Sequence, residues 1–501
     1  MENTSYFANS HSFIIGDNGN FATVHGNQIL NYFNREPERK TALTIYDQVL
    51  LGDIYRTENM GVSTYPRPGD VGERWWREEG KPRADRTICA AQVTGVEGRA
   101  FTMISYTGPE AQEAFEKDFQ MYATTLTANP FQVYGINTNV PTVLFYDERQ
   151  PVAKFWAGLG YWGKLYLRSL IEMHFKCYDN KIWLDPKKGE LCQGPVGPEC
   201  YTGSVGYGKW ENLPCSAKFL QDSNSLPFLA SRKAKSVDRE VVDVIAWEWS
   251  WGDSKVEVHQ PTIFSASTNA TVAVSGGLWK SYSSCLGERE VVENGATRLM
   301  LKDEGELLSV QIDRLEERRV WMSQALSIFH ACGISLNDNL SQFELIIPDL
   351  WLEGHLSDSE TKCQRRRKKH IYLFVHPLSP STPTEDCKTS SLHYWSFDPT
   401  GQHPLPAEMC EDLGLPIELS FEVYSPYRYC WTNEAYKLMH QYQVARGFNP
   451  KTTDFARHLG FPVYQVHRDS DRFEDLSTPK GFWSGWSWAA SEGSDIPACG
   501  M

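Results

Sequence analysis

The sequence predicts an α+β protein of more than one domain, in which a β-hairpin and helix unit is followed by a tryptophan-rich mixed α+β region. Three observations carry this expectation. The 501 residues exceed the roughly 250–300 at which one hydrophobic core stops growing. Short β-branched and aromatic runs recur with turn signals between them. Interleaved with these are segments whose apolar residues fall three and four apart, the spacing of one helical face. A content of 41% hydrophobic, 13% aromatic and 22% charged residues is that of a folded globular chain rather than a disordered one.

Residues 1–86 are expected to form an N-terminal arm and lead-in, because the text of residues 1–30 alternates Gly, Asn and short apolar pairs. Residues 87–202 read as one lobe with its following helix and strand pair. From Thr87, ICAAQVTGVEGRAFTMISY gives two β-rich runs about a Gly-containing turn, hence a hairpin. Glu110 to Leu126 then places Ala114, Phe115, Phe119 and Tyr122 on one helical face. FQVYGI (131–136) and PTVLFYDE (141–148) are further strands, and a helix runs roughly from Gly163 to Cys177. In YDNKIWLDPKKGELC (178–192) a Pro-Lys-Lys-Gly turn joins two short strands.

Residues 203–237 are turn-rich and aperiodic and are expected to be a linker. Residues 238–501 form the tryptophan-rich domain. Its expected strands lie at 241–251, 261–266, 270–280 and 297–301, followed by a helix from about Leu308 to Cys332 that Gly333 stops as a left-handed cap. A loop from Gly354 to Lys369 precedes the strands HIYLFVH and HYWSFD. A last helix takes Thr432 as N-cap, Asn433 to Arg446 as body and Gly447 as its stop. Of the 17 tryptophans, those in WEWSW (247–251) and FWSGWSW (482–488) are expected to bury part of their indoles against these strands.

A formal charge of −14 argues against general nucleic-acid binding. The N-terminal text has no basic region leading into an apolar run, and no stretch of 18 apolar residues occurs, so neither secretion by this route nor a membrane span is expected. Twelve cysteines without a CxxC pair read as reduced thiols in a cytoplasmic or nuclear protein. One basic patch exists: Arg365, Arg366, Arg367, Lys368 and Lys369 form either a solvated linker or a nuclear-import address.

Phosphoryl transfer needs a cation on the phosphates, a carboxylate holding that cation, metal ligands and a base. RAFTMISY occupies the place of a kinase's lysine-bearing strand, FEKDFQMYATTL that of its helix, ANPFQVYGI that of the next strand and VLFYDE that of the hinge. This region resembles a protein-kinase N-lobe. Along that resemblance the lysine falls at Ile104, or by a one-residue slip at Met103 or Ser105, and none is cationic. Asp118 or Glu116 stands for the helix carboxylate and, lacking a partner, reads as a solvated charge. NKIWLDPKKGELCQGP resembles the strand pair before the metal-binding turn, yet no HRD precedes it and the metal aspartate aligns near Gln193. QVLLGDIYRTENMG contains no GxGxxG.

HIYLFVHPL (370–378), LHYWSFDPTGQHPLPAEMCEDLGLP (392–416) and ARGFNPKTTDFARHLGFP (445–462) resemble phrases of a large uncharacterised kinase-like family of mushroom-forming fungi. That resemblance spans most of the chain and implies a similar architecture, with no activity, ligand or catalytic residue to carry over.

NDNLSQFE (337–344) has the residue types of the magnesium triad of terpene cyclases, but Glu344 lies three rather than four residues after Ser341 and Asn339 interrupts the pattern. His370 and His376 would share a strand face near His393, more in keeping with hydrogen-bonded strand residues than with a metal site. No HExxH, GxSxG or Walker sequence occurs. The expected function is an intracellular, non-catalytic, pseudokinase-like binding or scaffold protein with no cofactor, whose partner is a protein or a small molecule. The alternative is an enzyme of unfamiliar class, as in fungal specialised metabolism, with a pocket between the lobe and the second half.

Overall fold

In the computed structural model, residues 46–65, 84–123, 130–200, 202, 206–302, 305–379 and 392–466 are described. The β-branched and aromatic runs of the first lobe form strands β1 (Ile54–Tyr65), β2 (Ala84–Val93), β3 (Phe101–Thr107), β4 (Val133–Asn137) and β5 (Thr142–Tyr146), with helix α1 (Ala111–Ala123) between β3 and β4. They make one antiparallel sheet in the order β1-β2-β3-β5-β4. The expected hairpin is present, with Ile88 opposite Ile104.

Both faces of β3 are buried. Ile104 and Tyr106 join Phe115 and Phe119 of α1 on one side, while Phe101 and Met103 meet Leu144 on the other. The helix face is the one its spacing marked: Ala114, Phe115 and Phe119 are buried, and Tyr122 meets Phe145 edge to face at 5.5 Å. The lead-in reading of residues 1–86 needs one correction, because β1 is a full member of this sheet. Its polar text, IYRTENMGVSTY, and two register shifts against β2 conceal the alternation.

After the sheet come β6 (Gln150–Pro151), α2 (Val152–Phe155) and α3 (Tyr161–Leu170). The last continues as a π-helical turn over Ile171–Phe175 and stops at Lys176, whose φ is 50°. The expected strand pair forms as β7 (Ile182–Asp185) and β8 (Glu190–Gln193), with β6 alongside β7. Gly189 takes the left-handed turn position at φ +66°, and Asp185 Oδ1 accepts the Lys187 and Lys188 N–H groups at 3.0 and 3.1 Å. Arg149 Nη1 donates to Asp185 Oδ2 at 2.7 Å, a buried ion pair that ties the exit of β5 to β7.

Of the linker expected at 203–237, the described residues 206–237 are instead packed structure. They contain α4 (Asp222–Ser231) and enter α5 (Lys235–Ala246), and Trp210, Leu213, Phe219, Leu220 and Leu229 are buried in a core that runs from Val152 to Tyr464. The larger core begins at Val152, although Trp183 of β7 returns to the core of the first lobe. The strand expected over 241–251 is the end of α5 followed by a short strand: Val241, Val242, Val244 and Ile245 are buried on a helix, and tertiary packing overrides their β-propensity.

A large sheet forms the second part. It comprises β9 (Trp249–Trp251), β10 (Thr262–Ser265), β11 (Ala270–Val274), β12 (Trp279–Ser281), β15 (Leu307–Ile312), β16 (Phe343–His355), β19 (Ser420–Trp431) and β20 (Gln465–Val466). Long β16 is its spine, paired with β10 and β15 on one edge and β19 on the other. A smaller sheet in the order β13-β14-β17-β18 holds β13 (Leu286–Val291), β14 (Thr297–Leu301), β17 (Tyr372–Val375) and β18 (His393–Ser396).

Helix α6 (Arg314–Ala331) begins later than expected, because Leu307–Ile312 pairs with β16 before Asp313 caps the helix by accepting the Glu316 N–H at 3.2 Å. Gly333 takes φ +70° at its end. Helices α9 (Asn433–Ala445) and α10 (Asp454–Leu459) pack with α5 and α6, while α7 (Glu360–Arg366) and α8 (Ala407–Leu413) pack on each other. Among the described residues no helix is long and apolar enough to cross a membrane.

Candidate functional site

The sequence SFEVYSPYRYCW of β19 alternates so that Tyr427, Tyr429 and Trp431 share a face. Short β9 pairs only with Tyr429–Trp431 and sets Trp251 opposite Tyr429, the two rings stacked at 5.9 Å. Beyond that, the outer edge of β19 from Ser420 to Tyr427 has no partner strand among the described residues. Val423 and Tyr424 on this edge are 51% and 53% exposed, and Trp247 and Trp251 beside it are 52% and 63% exposed.

Two arginines one helical turn apart on α6 lie under this aromatic surface. Arg314 sits 4.4 Å from the Tyr427 ring, and Arg318 sits 4.4, 5.1 and 5.5 Å from Trp247, Tyr429 and Trp249. Only 3% of Arg318 is exposed, its Nε has no hydrogen-bond partner, and burial lowers its pKa. The next residue behaves differently. Burial also opposes the Arg319 charge, but ion pairs with Asp243 and Glu316, both at 2.7 Å, outweigh it and raise the pKa. The corner is therefore a cation-braced aromatic surface bordered by open backbone. Exposed Ser250 Oγ and half-buried Cys430 Sγ, 3.5 Å apart, lie on the same strand pair, and the rings offer faces of the kind that bind cations and apolar groups.

The positions singled out by the expected kinase resemblance hold structural side chains. Ile104 is fully buried against α1. Asp118 is not the solvated charge expected: its Oδ2 accepts Arg86 Nε at 2.7 Å and the Tyr106 hydroxyl at 3.1 Å. Burial, with the Asp118 charge beside it, holds the Tyr106 hydroxyl well above its usual pKa. Gln193 ends β8 opposite Ile182 and is exposed. These three residues lie on separate elements, and no hydrogen bond joins them.

Arg365, Arg366, Arg367, Lys368 and Lys369 do not form a uniformly solvated run. Arg365 and Arg366 lie in α7, and Arg366 is buried, its guanidinium donating to the Leu413 carbonyl at 2.9 Å and the Ser357 carbonyl at 3.0 Å. Lys369 lies 4.4 Å from the Phe397 ring. Glu344 anchors the turn after β9, accepting the Ser254 hydroxyl at 2.6 Å and the Asp253 N–H at 3.2 Å. His370 is exposed and precedes β17, His376 follows it, and His393 is buried on β18. No group of three or more His, Cys, Asp or Glu among the described residues could hold a metal. WEWSW buries Trp249 partly and leaves Trp247 and Trp251 exposed, and FWSGWSW lies outside the described residues.

Two buried carboxyl groups carried no sequence signal. Fully buried Asp238 on α5 accepts from Arg446, Tyr442 and His458. Burial works against its charge, but these hydrogen bonds win and lower its pKa. Glu317 on α6 is equally buried. Its Oε2 accepts from Tyr464 at 3.1 Å and Ser275 at 3.3 Å, its Oε1 has no partner, and burial pushes its pKa up to about 7. An open cleft of about 490 Å³ lies between Leu159, Leu184 and Leu220, but its one carboxylate, Asp222, is committed to accepting the Gly163 N–H at 2.8 Å in the first turn of α3. The chain matches no protein family model and no curated protein.

Proposed function

We propose that the chain is a non-catalytic binding protein, a pseudokinase-like lobe carried on a tryptophan-rich α+β body that recruits a protein partner at the open edge of β19. The observation that carries this reading is the burial of Ile104 where a kinase would hold its phosphate-binding lysine. The helix order fits the same resemblance, with α1 inserted between the third and fourth strands of an antiparallel sheet. The neighbouring acid is already engaged by Arg86, so the charge arrangement on which phosphoryl transfer depends is replaced by packing. An unpaired strand edge flanked by exposed aromatic rings supports the recruiting role, since added strands gain backbone hydrogen bonds there.

Thermal melting with millimolar ATP and Mg²⁺ tests the reading. A ligand at about a hundred times its dissociation constant stabilises a fold by ~2.7 kcal/mol and raises the melting temperature by several degrees. The melting curve is expected to stay where it is. A rise abolished by chelating the metal would return the lobe to nucleotide chemistry.

A further inference from the structure

We infer that the cleft between Lys209–Glu211 and the α4–α5 connection binds a small zwitterion of the α-amino-acid type. This site is separate from the β19 edge and goes beyond the recruiting role. The cleft is open to solvent, measures about 470 Å³ and is lined by, among others, Trp210, Glu211, Arg232, Lys233, Val237 and Glu240.

Three of these side chains carry a polar atom that is screened from solvent and has no hydrogen-bond partner: Trp210 Nε1, Arg232 Nη1 and Glu240 Oε2. Trp210 is only 3% exposed. Three of the eleven such atoms among the described residues belong to side chains lining this one cleft, a concentration that points to something that completes them. The frame around them is otherwise satisfied. Arg232 Nη2 donates to the Glu211 carbonyl at 2.8 Å, and the Lys209 backbone N–H donates to the Glu240 carboxyl group.

The pattern of missing partners defines the ligand. Trp210 Nε1 and Arg232 Nη1 are donors and call for an acceptor, which is strongest when anionic. Glu240 Oε2 calls for a donor, and burial raises the pKa of this carboxyl group although the Lys209 and Arg232 charges nearby work against the rise. A simple anion would meet the Glu240 charge, and a simple cation would meet Arg232, Lys233 and Lys209. A carboxylate and an ammonium on one small molecule satisfy both ends. The Trp210 ring, Ala234 and Val237 offer apolar surface to the rest of it.

The test uses the full chain and the twenty free L-amino acids at about 10 mM each, with acetate and methylamine as half-probes, read by melting temperature. At least one amino acid should give a saturable rise that neither half-probe gives. Trp210→Phe removes an unpaired donor, so the ligand-free variant should melt at or above the parent, and its affinity should fall about tenfold or more. Glu240→Gln should weaken binding similarly. Arg232→Gln, at a half-buried position, replaces the tryptophan variant if that fails to fold. The inference is overturned if no amino acid raises the melting temperature, if acetate or methylamine reproduces the rise, or if affinity is unchanged in the variants.

Discussion

Arg446 grips Asp238 through two hydrogen bonds, Nε to Oδ1 at 2.6 Å and Nη2 to Oδ2 at 2.8 Å. Tyr442 and His458 donate to the same carboxylate at 2.7 and 2.9 Å, so α5, α9 and α10 meet at one buried charge. Asp238→Asn leaves the Arg446 guanidinium buried beside a neutral amide and should cost about 3–5 kcal/mol. Because the folded carboxyl pKa is lowered, this stability is present above the unfolded carboxyl pKa and is lost as pH falls through the folded one. Denaturant melts from neutral to acid pH should show that loss in the parent and a shallower one in the variant.

Glu317 has the opposite sign. Its folded pKa of about 7 lies above the ordinary 4.5, so between those values the unfolded chain releases a proton that the folded chain retains. Stability should fall by about 3 kcal/mol as pH rises through that window and level off above it. Glu317→Gln stays neutral throughout. It should melt with the parent near pH 4.5 and several degrees above it at pH 8, and a parallel pH dependence of the two would refute the assignment.

Restoring a lysine at Ile104 should not restore a phosphate clamp. The position is fully buried and Asp118 already pairs with Arg86. Ile104→Lys should lower stability by about 3 kcal/mol or more without producing an ATP-dependent melting shift. A variant that kept its stability and gained that shift would show that the site tolerates the missing cation.

On the β19 edge the expectation is reversed. Val423→Lys with Tyr424→Lys alters exposed side chains and should change stability by no more than about 0.5 kcal/mol per site. Lysines guard an open edge against strand addition. A partner that co-purifies with the parent should be lost from this variant at unchanged melting temperature, and its retention would move the interface elsewhere.

Limited proteolysis should spare residues 209–231, where Trp210, Leu213, Phe219, Leu220 and Leu229 are buried. Early cutting there would restore the linker reading.

The first lobe was legible because its signals are local. Ala114, Phe115 and Phe119 mark a helix face by spacing alone, and the β-rich run around Ile104 is joined to its hairpin partner by a short Gly-containing turn. Leu308 to Ile312 was absorbed into the helix because an apolar run fits either period, and the Asp313 cap that starts the helix went unread. Val241 to Ile245 misled because β-branched residues suit a buried helix when packing demands it. Arg366 could not be told from its basic neighbours, since only the fold turns its guanidinium towards the Leu413 and Ser357 carbonyls. The cleft at 209–240 was invisible because its donors and acceptor become unpaired only once folding has withdrawn them from water.

Trp183 belongs to β7, but its indole lies in the core of the first lobe, 5.1 Å from the Phe131 ring, with Nε1 donating to the Pro195 carbonyl at 2.8 Å. On the ribosome, the sheet that ends at Tyr146 must therefore wait for a side chain not yet made. At roughly 5–20 residues per second that interval is about 2–7 s, during which Phe131 has Phe145 beside it but lacks its Trp183 contact. The same dependence sets where the gene can be cut: a lobe expressed alone has to extend past Pro195 to carry its own closing residue.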